Sequence, residues 1–207
     1  MVITLSLESP AVGEEFFDRE NYVGIIVDEI LKGEHLVLIG RRKVGKTSIL
    51  LKVGEELVKR GFAFIYMYVP EASNVELLSK ELVRSILRGL LGEHLFVGLD
   101  ALARNVIKNN PSISNEVLSL VDLGFDESVF RDALMILDDI LKKLNTRGII
   151  VLDEFQNISN VSLAVLDYLR QAIWYVKRIT VVLCGSVIGM IEKILSRSSA
   201  PQGLKRI

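Results

Sequence analysis

The sequence predicts an α/β protein, a mostly parallel sheet with helices on both faces. Three observations lead there. Short apolar runs alternate with longer helical patterns along most of the chain. A glycine-bracketed segment, Gly40-Arg41-Arg42-Lys43-Val44-Gly45-Lys46-Thr47, separates the first apolar run from a helix. A later run, Ile149-Ile150-Val151-Leu152, ends in two acids, Asp153 and Glu154.

Each element follows from periodicity and from its stop signals. Glu20 to Lys32 reads as a helix, because Val23, Ile26, Val27, Ile30 and Leu31 recur at helical spacing and Gly33 supplies a stop. His35 to Ile39 is the first strand. A helix runs from Ser48 to about Arg60, where Gly61 breaks it. Phe62 to Val69 is rich in aromatic and branched residues and forms the second strand, ended by Pro70. Ser73-Asn74-Val75-Glu76 resembles a capping box that opens a helix through Leu78, Leu82, Ile86 and Leu90. His94 to Asn110 is helical in part, Pro111 marks a loop, and a weak helical patch lies near Leu118.

Asp126 starts a stronger helix with Phe130, Leu134, Leu137, Leu141 and Leu144 on one face. Arg147-Gly148 turns the chain into the third strand, Ile149 to Leu152. Val161 to Lys177 is helical, and Ile179 to Cys184 is the fourth strand. A short helix from about Ile188 to Leu195 follows, and Ser196 to Gly203 reads as a loop or tail. The stretch from Pro70 to Arg147 is longer than one crossover requires and predicts a helical insert (70–147) within a single domain spanning 1–207.

Composition narrows the class. Half of the 207 residues are hydrophobic, enough for a well-buried core and too many for a disordered chain. Lys+Arg 25 against Asp+Glu 26 gives a net charge of −1, so no global basic field recruits nucleic acid, which leaves a local patch as the one electrostatic route to it. Mean hydropathy is +0.37, yet no apolar run approaches the ~18 residues of a spanning helix. No secretory signal is visible in Met1 to Leu7, so a cytoplasmic protein without membrane contact is expected. The single cysteine, Cys184, excludes an internal disulfide and reads as a packed, inert thiol.

The glycine segment matches G-x-x-x-x-G-K-[ST], the phosphate-binding loop. Gly40 and Gly45 are expected to adopt backbone angles that a side chain would forbid. Successive N–H groups of Gly40 to Ser48 then converge on phosphate oxygens, aided by the N-terminus of the following helix. Lys46 is expected to reach the β- and γ-phosphates, and the Thr47 hydroxyl to ligate Mg²⁺. Arg41, Arg42, Lys43 and Val44 belong to the cradle through their backbone, while the pattern leaves the three basic side chains free to form a solvated face.

The acid-tipped strand matches the Walker B pattern in its Asp-Glu form. Asp153 is expected to hold Mg²⁺, and Glu154 to orient and polarise an attacking water. Strand ends of open α/β sheets are where ligands bind. Ser186, just past the fourth strand, reads equally as a contact to the γ-phosphate or water and as part of a Gly-Ser turn. Gln156 reads as a loop glutamine without a role, in preference to a second contact to the water.

Together these motifs resemble the archaeal ATPases within the AAA+/STAND group of P-loop NTPases. Phe17-Asp18-Arg19-Glu20 looks like that family's N-terminal F-x-R-E box, and Cys184-Gly185-Ser186-Val187 followed by Met190 looks like its sensor strand. The resemblance implies a three-layer α/β/α P-loop NTPase fold with the sensor strand between the Walker A and Walker B strands. It implies ATP as the nucleotide, with Arg19 near the adenine. Family members continue into a helical lid and a winged-helix DNA-binding domain. No lid or winged helix is expected before Ile207, and little room is expected for a fifth core strand.

Arg197, after the sensor helix, lies where this group often places an arginine finger, although a solvated tail arginine is the preferred reading. The expected function is Mg²⁺-dependent hydrolysis of ATP to ADP and phosphate, with Lys46, Glu154 and Ser186 as the catalytic set. The alternative is a nucleotide-dependent switch or interaction module with little turnover, in a homo-oligomer or with a protein client. A kinase is disfavoured, because Glu154 would have no task in it. Nucleic acid enters as a partner by family analogy only.

Overall fold

The computed structural model describes residues 20–71, 74–92 and 98–186, together with the backbone of 204–206. The Arg19 box, Ser73, Val187, Met190, the helix expected from Ile188 to Leu195, and Arg197 lie outside the described residues.

Alternating apolar positions build a sheet buried on both faces. Its strands are β1 (His35–Ile39), β2 (Ala63–Tyr68), β3 (Gly148–Asp153), β4 (Ile179–Gly185) and β5 (Leu204–Arg206). Their order is β2-β3-β4-β1-β5, and every adjacent pair is parallel. The strand that ends in the Gly-Ser pair therefore sits between the strand leading into the glycine loop and the acid-tipped strand, as the resemblance implied.

Helices cover both faces. On one face α1 (Glu20–Leu31) and α2 (Lys46–Val58) pack on Leu36, Leu38, Ile149, Val151, Val182 and Cys184. On the other, α3 (Val75–Leu91), α4 (Leu99–Asn109), α5 (Ser114–Val121), α6 (Val129–Lys143) and α7 (Ala164–Tyr175) share one core with Val37, Ile65, Met67, Ile150, Leu152, Val181 and Leu183. The period-two alternation of each strand sends neighbouring residues to opposite layers. The helices between β2 and β3 are thus continuous with the main core. Among the described residues no helix is long and apolar enough to cross a membrane.

Two sequence expectations need correction, and one element was not expected. Leu204–Arg206 forms a fifth strand beside β1, with His35 opposite Leu204. Three residues are too few to show a periodic signal, so the stretch gave no warning. The cap of α3 is Asn74, whose side chain accepts the Leu77 N–H at 2.8 Å, one residue later than the box centred on Ser73. A 3-10 helix, Phe155–Asn160, intervenes between β3 and α7.

Candidate functional site

The glycine loop begins where β1 stops pairing with β4. Ile39 lies opposite Gly185, and the Gly40 N–H donates to Gly185 O at 3.3 Å. Gly45 takes the left-handed conformation (φ 85, ψ 22) and caps α2, a geometry that favours glycine. Gly40 corrects the expectation, since its φ is not positive. A Cβ there would instead lie 3.3 Å from Val44 Cγ2 and 3.5 Å from Lys46 Cδ. A side chain at Gly40 would crowd Val44, whereas Gly45 meets a dihedral that favours glycine. The second left-handed residue of the loop is Lys43, with φ 62.

Lys46 is buried at the head of α2. Its ammonium donates to Gly40 O at 2.7 Å and Arg41 O at 2.9 Å, which holds it across the loop. Arg42 points outward and pairs with Glu71 at 2.9 Å, both side chains well exposed, as a solvated loop face would. Ser48 is buried in the first turn of α2.

Strand alternation brings the acid to the loop. Asp153 shares its face with Ile149 and Val151, the face covered by α2. Asp153 is 1% exposed. Thr47 Oγ1 donates to Asp153 Oδ2 at 2.7 Å, and Tyr66 Oη donates to the same oxygen at 2.8 Å. The Glu154 N–H donates to Oδ1 at 2.9 Å. Burial first, then the Asp153 charge, pushes the Tyr66 phenol and the Cys184 thiol well above their ordinary pKa values. Both stay protonated at neutral pH, and Cys184 is inert for that reason.

Glu154 is one residue further and takes φ 53, ψ 40. This left-handed step turns the chain off β3 and separates the directions of the two acids. Gln156 donates its amide to Glu154 Oε2 and, at 3.4 Å, to Ser186 Oγ. The Ser186 N–H donates to Gln156 Oε1 at 3.3 Å. Lys46, Thr47, Asp153, Glu154 and Ser186 thus collect at the carboxyl ends of β1, β3 and β4.

Sequence reasoning missed two participants. Tyr66 lies opposite Val151, two residues before Asp153 along the neighbouring strand, so its long phenol reaches the carboxylate. Alternation could have assigned the face of Tyr66, but not its neighbouring strand. Gln156 reads from sequence as a loop glutamine, whereas it is 5% exposed and bonded at both ends of its amide.

The donor set suits a hard divalent cation beside polyphosphate. One hydroxyl and one carboxylate 2.7 Å apart are the oxygen donors that would hold Mg²⁺, a cation that usually keeps water and substrate phosphate as its other ligands. Among the described residues no cluster of three or more His, Cys, Asp or Glu could hold a metal by itself.

Residues 16–206 match a family described as an ATPase domain predominantly from Archaea. The chain belongs to the archaeal ATPase family. Two solved structures share the archaeal ATPase architecture of this chain. A Walker-type ATPase of Pyrococcus abyssi is 20% identical, with a TM-score of 0.60 over 97% of this chain and 57% of its own. The ORC2 protein of Aeropyrum pernix, in ADPNP and ADP complexes, is 16% identical, with a TM-score of 0.60 over 97% of this chain and 49% of its own. The archaeal ATPase chain described here therefore spans about half the length of these structures. At such identities the likeness concerns the fold. No relative was found among curated proteins.

Proposed function

We propose that this archaeal ATPase domain binds ATP with Mg²⁺ at the loop between β1 and α2 and hydrolyses it to ADP and phosphate. One observation carries the reading: the 2.7 Å bond from Thr47 to Asp153, which joins the phosphate loop to the acid-tipped strand across 106 residues. The adenine nucleotides in the Aeropyrum pernix ORC2 structure support ATP as the ligand.

The chain's own groups divide the work. Backbone amides from Gly40 to Ser48 and the N-terminus of α2 receive the β-phosphate region. Lys46, whose ammonium is held by Gly40 O and Arg41 O within the loop, supplies the positive charge for the phosphate oxygens that the loop receives. Thr47 and Asp153 hold the cation, which when bound neutralises charge developing on the transferred phosphoryl group. Glu154 aligns and polarises the attacking water and takes its proton at a carboxylate oxygen. Ser186, at the tip of β4, contacts the γ-phosphate or that water. Proper alignment is worth several powers of ten in rate, and the fixed strand ends supply it.

Replacing Glu154 with Gln separates binding from chemistry. ATP affinity should stay within about twofold, while phosphate release should fall ~10²-fold or more. Unchanged phosphate release in that variant would remove Glu154 as the base. Absence of affinity for any nucleoside triphosphate in the wild type would remove the function itself.

A further inference from the structure

Gln156 stands where two strand ends meet. Its backbone is fixed on both sides: Phe155 is fully buried, and Asn157 Nδ2 donates to Val69 O at 2.8 Å. The Asn157 N–H closes the turn onto Glu154 O at 2.9 Å. A glutamine amide carries one acceptor oxygen and a two-donor nitrogen. The nitrogen faces Glu154 Oε2 and Ser186 Oγ, and the oxygen receives the Ser186 N–H. The tips of β3 and β4 are adjacent, with Leu152 opposite Leu183. Gln156 is therefore bonded to both of them at once.

We propose that Gln156 is a positioning residue for hydrolysis: its amide orients the Glu154 carboxylate and locks it to Ser186, so that the two strand tips hold the attacking water as one unit. This inference rests on the ATPase reading. A free glutamate side chain samples several rotamers about three torsions. The amide of Gln156, itself 5% exposed and held on a buried turn, selects one of them. The same amide transmits any shift of Ser186 to Glu154, which makes the carboxylate responsive to whatever Ser186 touches. A glutamate at 156 could not substitute, because it would present acceptors to a carboxylate that needs a donor.

Steady-state hydrolysis and ATP binding should be measured for the wild type, Gln156→Ala, Gln156→Met and Gln156→Glu. Gln156→Met keeps the side-chain length without the polar atoms and serves if the shorter variant fails to fold. All three should lose about 10- to 100-fold in kcat, while the ATP dissociation constant stays within about twofold. In a Glu154→Gln background, Gln156→Ala should produce no further fall, since the residue acts through Glu154.

An active wild type whose Gln156 variants keep kcat, or lose it by the same factor in both backgrounds, overturns the role of Gln156 and leaves the ATPase reading standing. A wild type that binds ATP but releases no phosphate ends the hydrolysis reading and this role with it.

Discussion

Thr47 Oγ1 lies 2.7 Å from Asp153 Oδ2, a contact between the first turn of α2 and the last residue of β3. If the pair holds Mg²⁺, Thr47→Val should weaken Mg²⁺-dependent ATP binding by about 10- to 100-fold, the size expected when a charge-assisted contact is lost. Thr47→Ser, which restores the hydroxyl, should recover most of it. Isothermal titration with ATP at several Mg²⁺ concentrations reads both variants, and equal affinities for Val and Ser would contradict the assignment.

Tyr66 supports the same carboxylate from β2. Tyr66→Phe removes one donor from Asp153 Oδ2 and leaves the ring in place. Losing a hydrogen bond to a buried charge costs about 1–3 kcal/mol, and if Asp153 holds Mg²⁺, losing an outer partner of that ligand costs about 10- to 100-fold in metal affinity. Urea unfolding should show the first and Mg²⁺ titration the second. A variant unchanged in both would mean that Thr47 and the Glu154 N–H satisfy Asp153 without help.

Gly89 on α3 lies against the backbone of β2. A Cβ there would meet Phe64 O at 2.8 Å and Ile65 Cγ1 at 2.6 Å. In an exposed helix, Gly→Ala stabilises by about 1 kcal/mol through propensity. Here the overlap involves backbone that cannot move aside, and overpacking of this kind costs about 1–3 kcal/mol. Gly89→Ala should therefore be destabilising in urea. Gly24 on α1 provides the control, since nothing lies within 4 Å of a Cβ there; Gly24→Ala should be neutral or stabilising.

His35 gives the fold a pH dependence. Its Nδ1 accepts the Val181 N–H at 3.0 Å, which requires an unprotonated nitrogen. Burial lowers its pKa, only partly opposed by the charge of Glu34. The sign follows from linkage. Above the unfolded imidazole's pKa of about 6.5, neither state is charged and this site costs nothing. As pH falls below that value the unfolded chain gains the proton first, and stability declines until the folded pKa is reached. Urea midpoints from pH 8 to pH 5 should show this loss, and His35→Gln should flatten it. An identical slope in the variant would assign the effect to other groups.

The local pieces of this protein were legible because their signals are local. Val23, Ile26, Val27 and Ile30 write a helix at 3.6-residue spacing, and all four are buried on α1. The run ending in Asp153 and Glu154 reads as a strand whose tip is polar, and β3 ends on Asp153. Gly45 at a helix start asks for a left-handed residue, and it is one. What failed were the features without a period: the three-residue β5 and the six-residue 3-10 helix after β3. The order of the strands came from resemblance to a family, not from any residue in them.

By itself the chain's sequence determined the α/β class, the phosphate loop and the two acids, since each depends on residues within a dozen positions of one another. Only the tertiary structure decided which residues surround those acids. Tyr66 reaches Asp153 from 87 residues away, and Gln156 meets Ser186 across 30. Such contacts depend on which strands become neighbours and in what register, and that choice is made by packing the whole sheet between its two helical layers. No short window of sequence contains it.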